Sequence, residues 1–143
     1  MAPHWVLVQE GIALGYPLWL LRLSIATYLL ERVVRIRKVV SGVVKAVRGM
    51  TAGLGFATTE MRVVMINLVE RALKAHPSVT PTLFVDDLAA EAAGPDPWIK
   101  KELGGFITII VDGFKANQFV LSGTKSLVTA STDELGRGME QLW

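Results

Sequence analysis

The chain has 143 residues, of which 51% are hydrophobic, with a net charge of +2 and a mean hydropathy of +0.41. This length suits one domain with a buried core, and so apolar a composition excludes general disorder. The absence of cysteine excludes disulfides, thiolate catalysis and cysteine-based zinc sites, and with only two histidines a histidine-rich metal site is not expected.

The small net charge hides an asymmetry between the two halves of the chain. Residues 1–75 carry ten Lys and Arg against four Asp and Glu, whereas residues 76–143 carry five against nine. The stretch 32–48 contains basic residues and no acidic one, which suits contact with phosphate groups, although a solvated face is the simpler interpretation. The N-terminus lacks the basic segment of a signal peptide, so we expect a nuclear or cytoplasmic protein.

Residues 11–30 form the one stretch long enough to span a bilayer. Arg22 lies near its centre, where a charge costs roughly 2.5–3.5 kcal/mol on insertion scales, and Pro17 interrupts it. We therefore predict a buried helix from Pro17 to Glu31, with Arg22 outside an apolar stripe formed by Leu18, Leu21, Ile25, Tyr28 and Leu29. A small membrane-anchored protein with a helix at 11–30 is the alternative, because the basic residues after it suit a positive-inside flank.

The next elements are a pair of strands, a glycine-rich turn and a long helix. Val33 to Arg37 alternates apolar and basic residues and predicts a strand, with a second around Gly42 to Ala46. Residues 48–56 predict the turn, and Thr59 to Ala75 predicts the helix. We expect a polar stripe on this helix at Glu60, Asn67, Arg71 and Lys74, and an apolar surface at Val63, Val64, Ile66, Leu68 and Leu73.

Asp86 and Asp87 are adjacent and lie between two apolar stretches. Val79 to Val85 predicts a strand, and Leu88 to Ala92 can return antiparallel to it, which places the acidic pair at the bend of a hairpin. Adjacent carboxylates repel, and Mg²⁺ is the usual counter-charge for oxygen ligands. A turn that uses Asp only for its backbone conformation is the alternative.

Strand alternation also predicts which carboxylate faces a site. It places Asp86 on the face of Phe84, and Asp87 on the opposite face with Leu83. We therefore expect Asp86 to be the principal metal ligand.

Asp96 and Pro97 predict a helix start, with Asp96 as N-cap. Its predicted core stripe is Ile99, Leu103, Phe106, Ile110 and Phe114. Residues 119–121 and 127–129 predict two strands joined by a turn. Together the elements predict an α+β fold, with helices packed on one face of a small antiparallel sheet.

Four segments, taken in order, resemble the palm of retroelement reverse transcriptases, most nearly the non-LTR, LINE-type group. Residues 3–21 look like the family's "PH..L…G.p..ll.li" segment, and residues 48–58 are similar to its "RG..QG..ls" motif. Residues 84–87 match the "[YF]xDD" box, and residues 121–126 look like the "LN..KT" motif. The resemblance covers nearly all of the chain, so residues 1–143 would form one palm fragment.

The resemblance implies an RNA-directed DNA polymerase that uses two Mg²⁺ ions to clamp the attacking 3′-hydroxyl and the leaving pyrophosphate. Asp86 would bind metal, Asp87 would be a partial ligand or would lie just outside the direct ligands of the metal, and Lys125 would act near the pyrophosphate. The residues on the nucleotide side would be Ala52, Gly53 and Phe84. The partners of the parent enzyme would be an RNA template, a DNA primer and a dNTP.

The chain departs from the family pattern in three respects. Ala52 stands where the family has glutamine. The family's first catalytic aspartate would precede Met1, and its thumb would follow Trp143. We therefore expect a reverse transcriptase fragment that is inactive alone, and the alternative is a non-catalytic remnant.

Overall fold

The computed structural model describes residues 2–51, 54–122 and 126–141. These residues form five helices and three separate two-stranded antiparallel ladders, which confirms the α+β class. The expectation of one sheet covered by helices is not met, because the ladders within the described residues do not join. The chain divides into two compact units, residues 1–64 and 65–143.

The first unit begins with two helices joined by a tight turn. They are α1, His4–Ala13, and α2, Leu18–Tyr28. Gly15 lies in the turn with φ +69°, a conformation that glycine adopts without a steric penalty. The stretch 11–30 is thus divided between two helices, and no helix among the described residues is long and apolar enough to cross a membrane.

The face that α2 buries differs from the predicted stripe. The helix begins directly after Pro17, as expected, but it buries Leu20, Leu21, Ser24 and Tyr28. Leu18 and Leu29 are exposed. Nearly every position of α2 is apolar, so periodicity could not determine which side packs inward.

A ribbon of short strands follows α2. The strands are β1, Glu31–Arg32, β2, Arg35–Ile36, β3, Val39–Val40, and β4, Val44–Lys45. β2 pairs with β3, and β1 pairs with β4, so one hairpin is nested inside the other. Each of the two predicted strands is therefore interrupted and shorter than expected. We refer to residues 31–48 as the basic ribbon.

Helix α3, Ala57–Ala75, confirms the predicted helix within two residues of its start. Val63, Val64 and Leu68 are buried as expected, whereas Ile66 is exposed. Glu60 is fully buried although it was assigned to the polar stripe. It lies four residues before Val64 and eight before Leu68, which places all three on the buried face.

The second unit contains the predicted hairpin and two further helices. The hairpin is β5, Thr80–Phe84, with β6, Asp87–Glu91, and the helices are α4, Asp96–Ala116, and α5, Asp133–Glu140. The predicted core stripe of α4 is confirmed, with four of its five members buried and Leu103 half-buried. Pro95 rather than Asp96 is the N-cap residue of α4.

The C-terminal part of the chain was predicted wrongly. Residues 119–122 and 126–129 contain no strand, and α5 was not predicted. Gly136 and Gly138 weaken the helical pattern of α5. The helix forms because Thr132 accepts a hydrogen bond from the Leu135 amide at 3.2 Å and because Leu135 packs with Ile99 in the core.

Glycine at position 105 allows α4 to lie close to His76. A Cβ built on Gly105 would come within 2.4 Å of the His76 ring, whereas one built on Gly136 would meet nothing nearer than 3.7 Å. Gly105→Ala should therefore lower the free energy of unfolding by about 1–3 kcal/mol through overpacking. Gly136→Ala, the matched control, should raise it by about 0.5–1 kcal/mol through helix propensity. Urea unfolding measures both, and equal stabilisation by the two substitutions would contradict the close packing.

Candidate functional site

The acidic pair lies at the bend of the β5–β6 hairpin, as predicted. Phe84 pairs with Asp87, so Val85 and Asp86 form a two-residue turn. Asp86 and Asp87 are both exposed, and Phe84 is 74% exposed. The structure therefore brings three of the predicted site residues together at one exposed tip.

The face assignment of the two carboxylates was wrong. Directly paired residues of an antiparallel ladder share a face, so Asp87 shares the face of Phe84. That face is the exposed one, whereas Leu83 and Leu88 form the half-buried face. Asp86 belongs to the turn and continues neither face, because alternation ends where the chain reverses.

Val85 carries backbone strain at this turn. Its φ is +57°, while Asp86 is not in the positive-φ region. A positive φ at the first central position alone is typical of a type II′ turn, in which glycine is the usual residue. A β-branched residue in this conformation is an outlier that costs about 1–3 kcal/mol, and such strain clusters at functional sites.

The remaining predicted site residues cannot be placed beside the tip. Lys125, Ala52 and Gly53 lie outside the described residues. Among the residues that are described, no group of three or more Asp, Glu, His or Cys side chains could hold a metal ion. Asp86 and Asp87 alone supply part of a ligand set for Mg²⁺, which takes carboxylates together with water and substrate phosphates.

The basic ribbon presents its positive charges to solvent. Arg35, Arg37 and Lys38 are exposed around the β2–β3 turn. Arg37 has φ +56°, and its carbonyl accepts a hydrogen bond from the Arg35 side chain at 3.1 Å. Exposed aliphatic side chains surround these charges, among them Ile36 and Val39 at 69% and 73% exposure.

A buried polar cluster lies in the first unit, and it contains none of the predicted site residues. The Tyr28 hydroxyl donates a hydrogen bond to Oε2 of Glu60, and both side chains are fully buried. The His4 ring stacks on Tyr28 at a centroid distance of 5.6 Å. The Nε2–H of His4 donates to the Gly49 carbonyl at 2.9 Å, which fixes its tautomer.

Three further oxygens in this unit are buried without a hydrogen-bond partner in the described part of the chain. They are the Tyr16 hydroxyl, the Ser24 hydroxyl and Oε1 of Glu60. Burial raises the pKa of Tyr16, and the negative charge of Glu60 raises it further. Burial also raises the pKa of Tyr28 strongly, with the hydrogen bond to Glu60 as the second cause.

A smaller polar group joins α3 and α4 in the second unit. Nδ1 of His76 lies 3.3 Å from Oε2 of Glu102, and the Ser78 hydroxyl donates to the same oxygen at 3.0 Å. The Ser78 hydrogen bond lowers the pKa of Glu102. Serine and histidine thus share one carboxylate oxygen of Glu102.

Sequence reasoning missed the buried cluster, although one signal for it was present. Glu60 falls at helical spacing with Val63 and Val64 and so belongs to the apolar face of α3. A single acid inside such a face indicates a buried partner.

Comparisons with protein-family models, with curated proteins and with solved structures find no match to this chain. The palm resemblance therefore depends on the sequence motifs and on the geometry of the hairpin.

The two tyrosines of the chain both belong to the buried cluster, so phenolate absorbance reports on it alone. Both pKa values are raised above the ordinary 10.0. The resulting stability is fully present below the unfolded-state pKa and is lost as the pH rises towards the folded-state values. We expect the phenolate absorbance of the fully buried Tyr28 to appear only together with loss of helical circular dichroism.

The variant Tyr16→Phe isolates the titration of Tyr28 in the same measurement. A phenolate signal with a midpoint near the ordinary pKa of 10.0, with unchanged circular dichroism, would contradict the burial of the cluster.

Proposed function

We propose that the chain is the palm segment of a reverse transcriptase of the non-LTR retroelement type. The observation that carries the proposal is the acidic hairpin tip, in which Asp86 and Asp87 project from a strained two-residue turn directly after Phe84. Strain at Val85 supports a functional role for the tip, because an ordinary loop would place glycine or asparagine at this position.

In this function Asp86 and Asp87 bind Mg²⁺ through carboxylate oxygens. The metal supplies charge stabilisation for the attacking and leaving oxygens of nucleotidyl transfer. Among the described residues, no third carboxylate joins Asp86 and Asp87 in a group that could hold a metal ion. By resemblance alone, Lys125 would act near the pyrophosphate, and Ala52 and Gly53 would be the residues on the nucleotide side; all three are outside the described residues.

The partners of the parent enzyme are an RNA template, a DNA primer and a dNTP. The basic ribbon supports this assignment, since Arg35, Arg37 and Lys38 are exposed and residues 32–59 contain no acid. Binding of phosphates releases counterions, so the affinity of the ribbon for a duplex should fall steeply as salt rises.

The hairpin tip is tested by the binding of Mn²⁺ in place of Mg²⁺. Backbone amide resonances of the full chain are recorded with an RNA–DNA hybrid that has a recessed primer end, with the next dNTP present. We expect substoichiometric Mn²⁺ to broaden the amides of residues 84–88 first, because two carboxylates and the dNTP phosphates would share the ion. Omitting the hybrid and dNTP should raise the Mn²⁺ concentration required by about tenfold.

Two double variants sharpen this experiment. Asp86→Asn with Asp87→Asn should abolish the selective broadening, whereas Asp133→Asn with Glu134→Gln removes an exposed acidic pair elsewhere and should leave it unchanged. If residues 84–88 respond no more strongly than residues 133–134, or if hybrid and dNTP have no effect, the tip is an acidic turn and the polymerase proposal fails.

The ribbon has its own test in fluorescence anisotropy with the same hybrid. Arg35→Gln, Arg37→Gln and Lys38→Gln together should flatten the dependence of affinity on salt by about three counterions. The matched control removes three exposed charges of α3, namely Arg62, Arg71 and Lys74, and should bind as the unmodified chain does. Equal losses in both triple variants would show that only net charge matters.

A further inference from the structure

An apolar groove runs between α1 and α2 in the first unit, and its lining includes no residue of the acidic tip or the basic ribbon. Its volume is about 470 Å³, within the range of pockets that bind small molecules. Val8 and Ile12 of α1 line one wall. The other wall is formed by one stripe of α2, comprising Leu18, Arg22, Ile25 and Leu29.

The groove leaves apolar side chains in contact with solvent. Ile12 is 60% exposed and Leu18 is 56% exposed, although both lie next to the buried Leu21. The stripe at positions 18, 22, 25 and 29 has helical spacing and covers about 16 Å of α2 at 1.5 Å per residue. The apolar side chains on either side of Arg22 would contact the apolar part of a ligand.

Arg22 is the one charged residue in the lining of the groove. It lies between Leu18 and Ile25 on the stripe, and no ion pair involves it within the described residues. A guanidinium group beside an apolar channel complements a ligand with an apolar body and an anionic head. Arg22 is exposed, so it favours an anionic head over a cationic one by charge alone.

We propose that the α1–α2 groove binds a medium-chain carboxylate, with the carboxylate paired with Arg22 and the acyl chain against Leu18 and the α1 wall. Nucleic acid does not fit this groove, because its lining contains no aromatic side chain on which a base could stack. The inference is independent of the polymerase proposal, since no residue of the groove belongs to the hairpin tip or to the basic ribbon.

The test is isothermal titration of the full chain with decanoate below its micelle concentration, compared with decanol and decyltrimethylammonium. We expect decanoate to bind about fivefold more tightly than decanol, because an exposed charge-assisted pair contributes modestly. Decyltrimethylammonium should bind more weakly than decanol.

Two variants test separately where the carboxylate and the acyl chain of the ligand bind. Arg22→Met keeps the length of the side chain and should reduce decanoate binding to the level of decanol, while decanol binding stays the same. Leu18→Gln, at an exposed position that leaves folding intact, should weaken both ligands several-fold. Arg62→Met removes an exposed arginine from α3 and should change neither affinity.

Three results would overturn the proposal. Equal affinity for decanoate and decanol would show that Arg22 does not select an anion. Unchanged binding in Leu18→Gln would place the acyl chain elsewhere. If Arg62→Met lost as much affinity for decanoate as Arg22→Met, the preference for decanoate would depend only on the net charge of the chain.

Discussion

Burial of the Glu60 carboxyl group is the constraint on which the first unit depends. A buried carboxyl group without a hydrogen bond costs several kcal/mol, and Tyr28 supplies that bond from α2 to α3. His4 stacks on Tyr28 and also binds the Gly49 carbonyl at the end of the basic ribbon. A bridge between Pro3 and Arg48 adjoins this contact. The start of the chain, α2, the end of the ribbon and the start of α3 therefore meet around one hydrogen-bonded pair.

The two kinds of carboxyl site in this molecule differ in the partner that stabilises the carboxyl group. Glu60 is removed from solvent, so only a hydrogen bond within the protein can stabilise it. Asp86 and Asp87 are exposed, where water solvates them and a metal ion can replace that water. The proposed metal site at the tip would require this second arrangement, whereas the buried cluster, with its raised tyrosine pKa values, favours neutral hydroxyls.

Much of the fold could be predicted from local patterns. The core stripe of α4, the span of α3 and the bend at Asp86 and Asp87 follow from apolar spacing and turn chemistry, and the structure contains them. Errors occurred where a side chain's environment depends on contacts distant in sequence. Glu60 is buried because Tyr28, 32 residues away, bonds to it.

The candidate site, too, was predicted correctly only where local sequence patterns determine it. Sequence placed the acidic pair at the hairpin bend, but alternation could not be extended through the turn, so Asp87 rather than Asp86 shares the face of Phe84. The groove stripe shares Leu18, Ile25 and Leu29 with the apolar stripe predicted for α2, but the prediction left Arg22 outside that stripe. Only the packing of α1 shows that Arg22 lies among apolar neighbours.

The most direct test of the account is a double-mutant cycle on the buried pair, using Tyr28→Phe, Glu60→Met and the combined variant in urea unfolding. Each single substitution removes the Tyr28–Glu60 hydrogen bond and leaves the other residue buried without it. The double variant should therefore lose less stability than the two single variants together. We predict a coupling free energy of about 1–3 kcal/mol. Additive losses, within about 0.5 kcal/mol, would show that the Tyr28–Glu60 hydrogen bond does not organise the first unit.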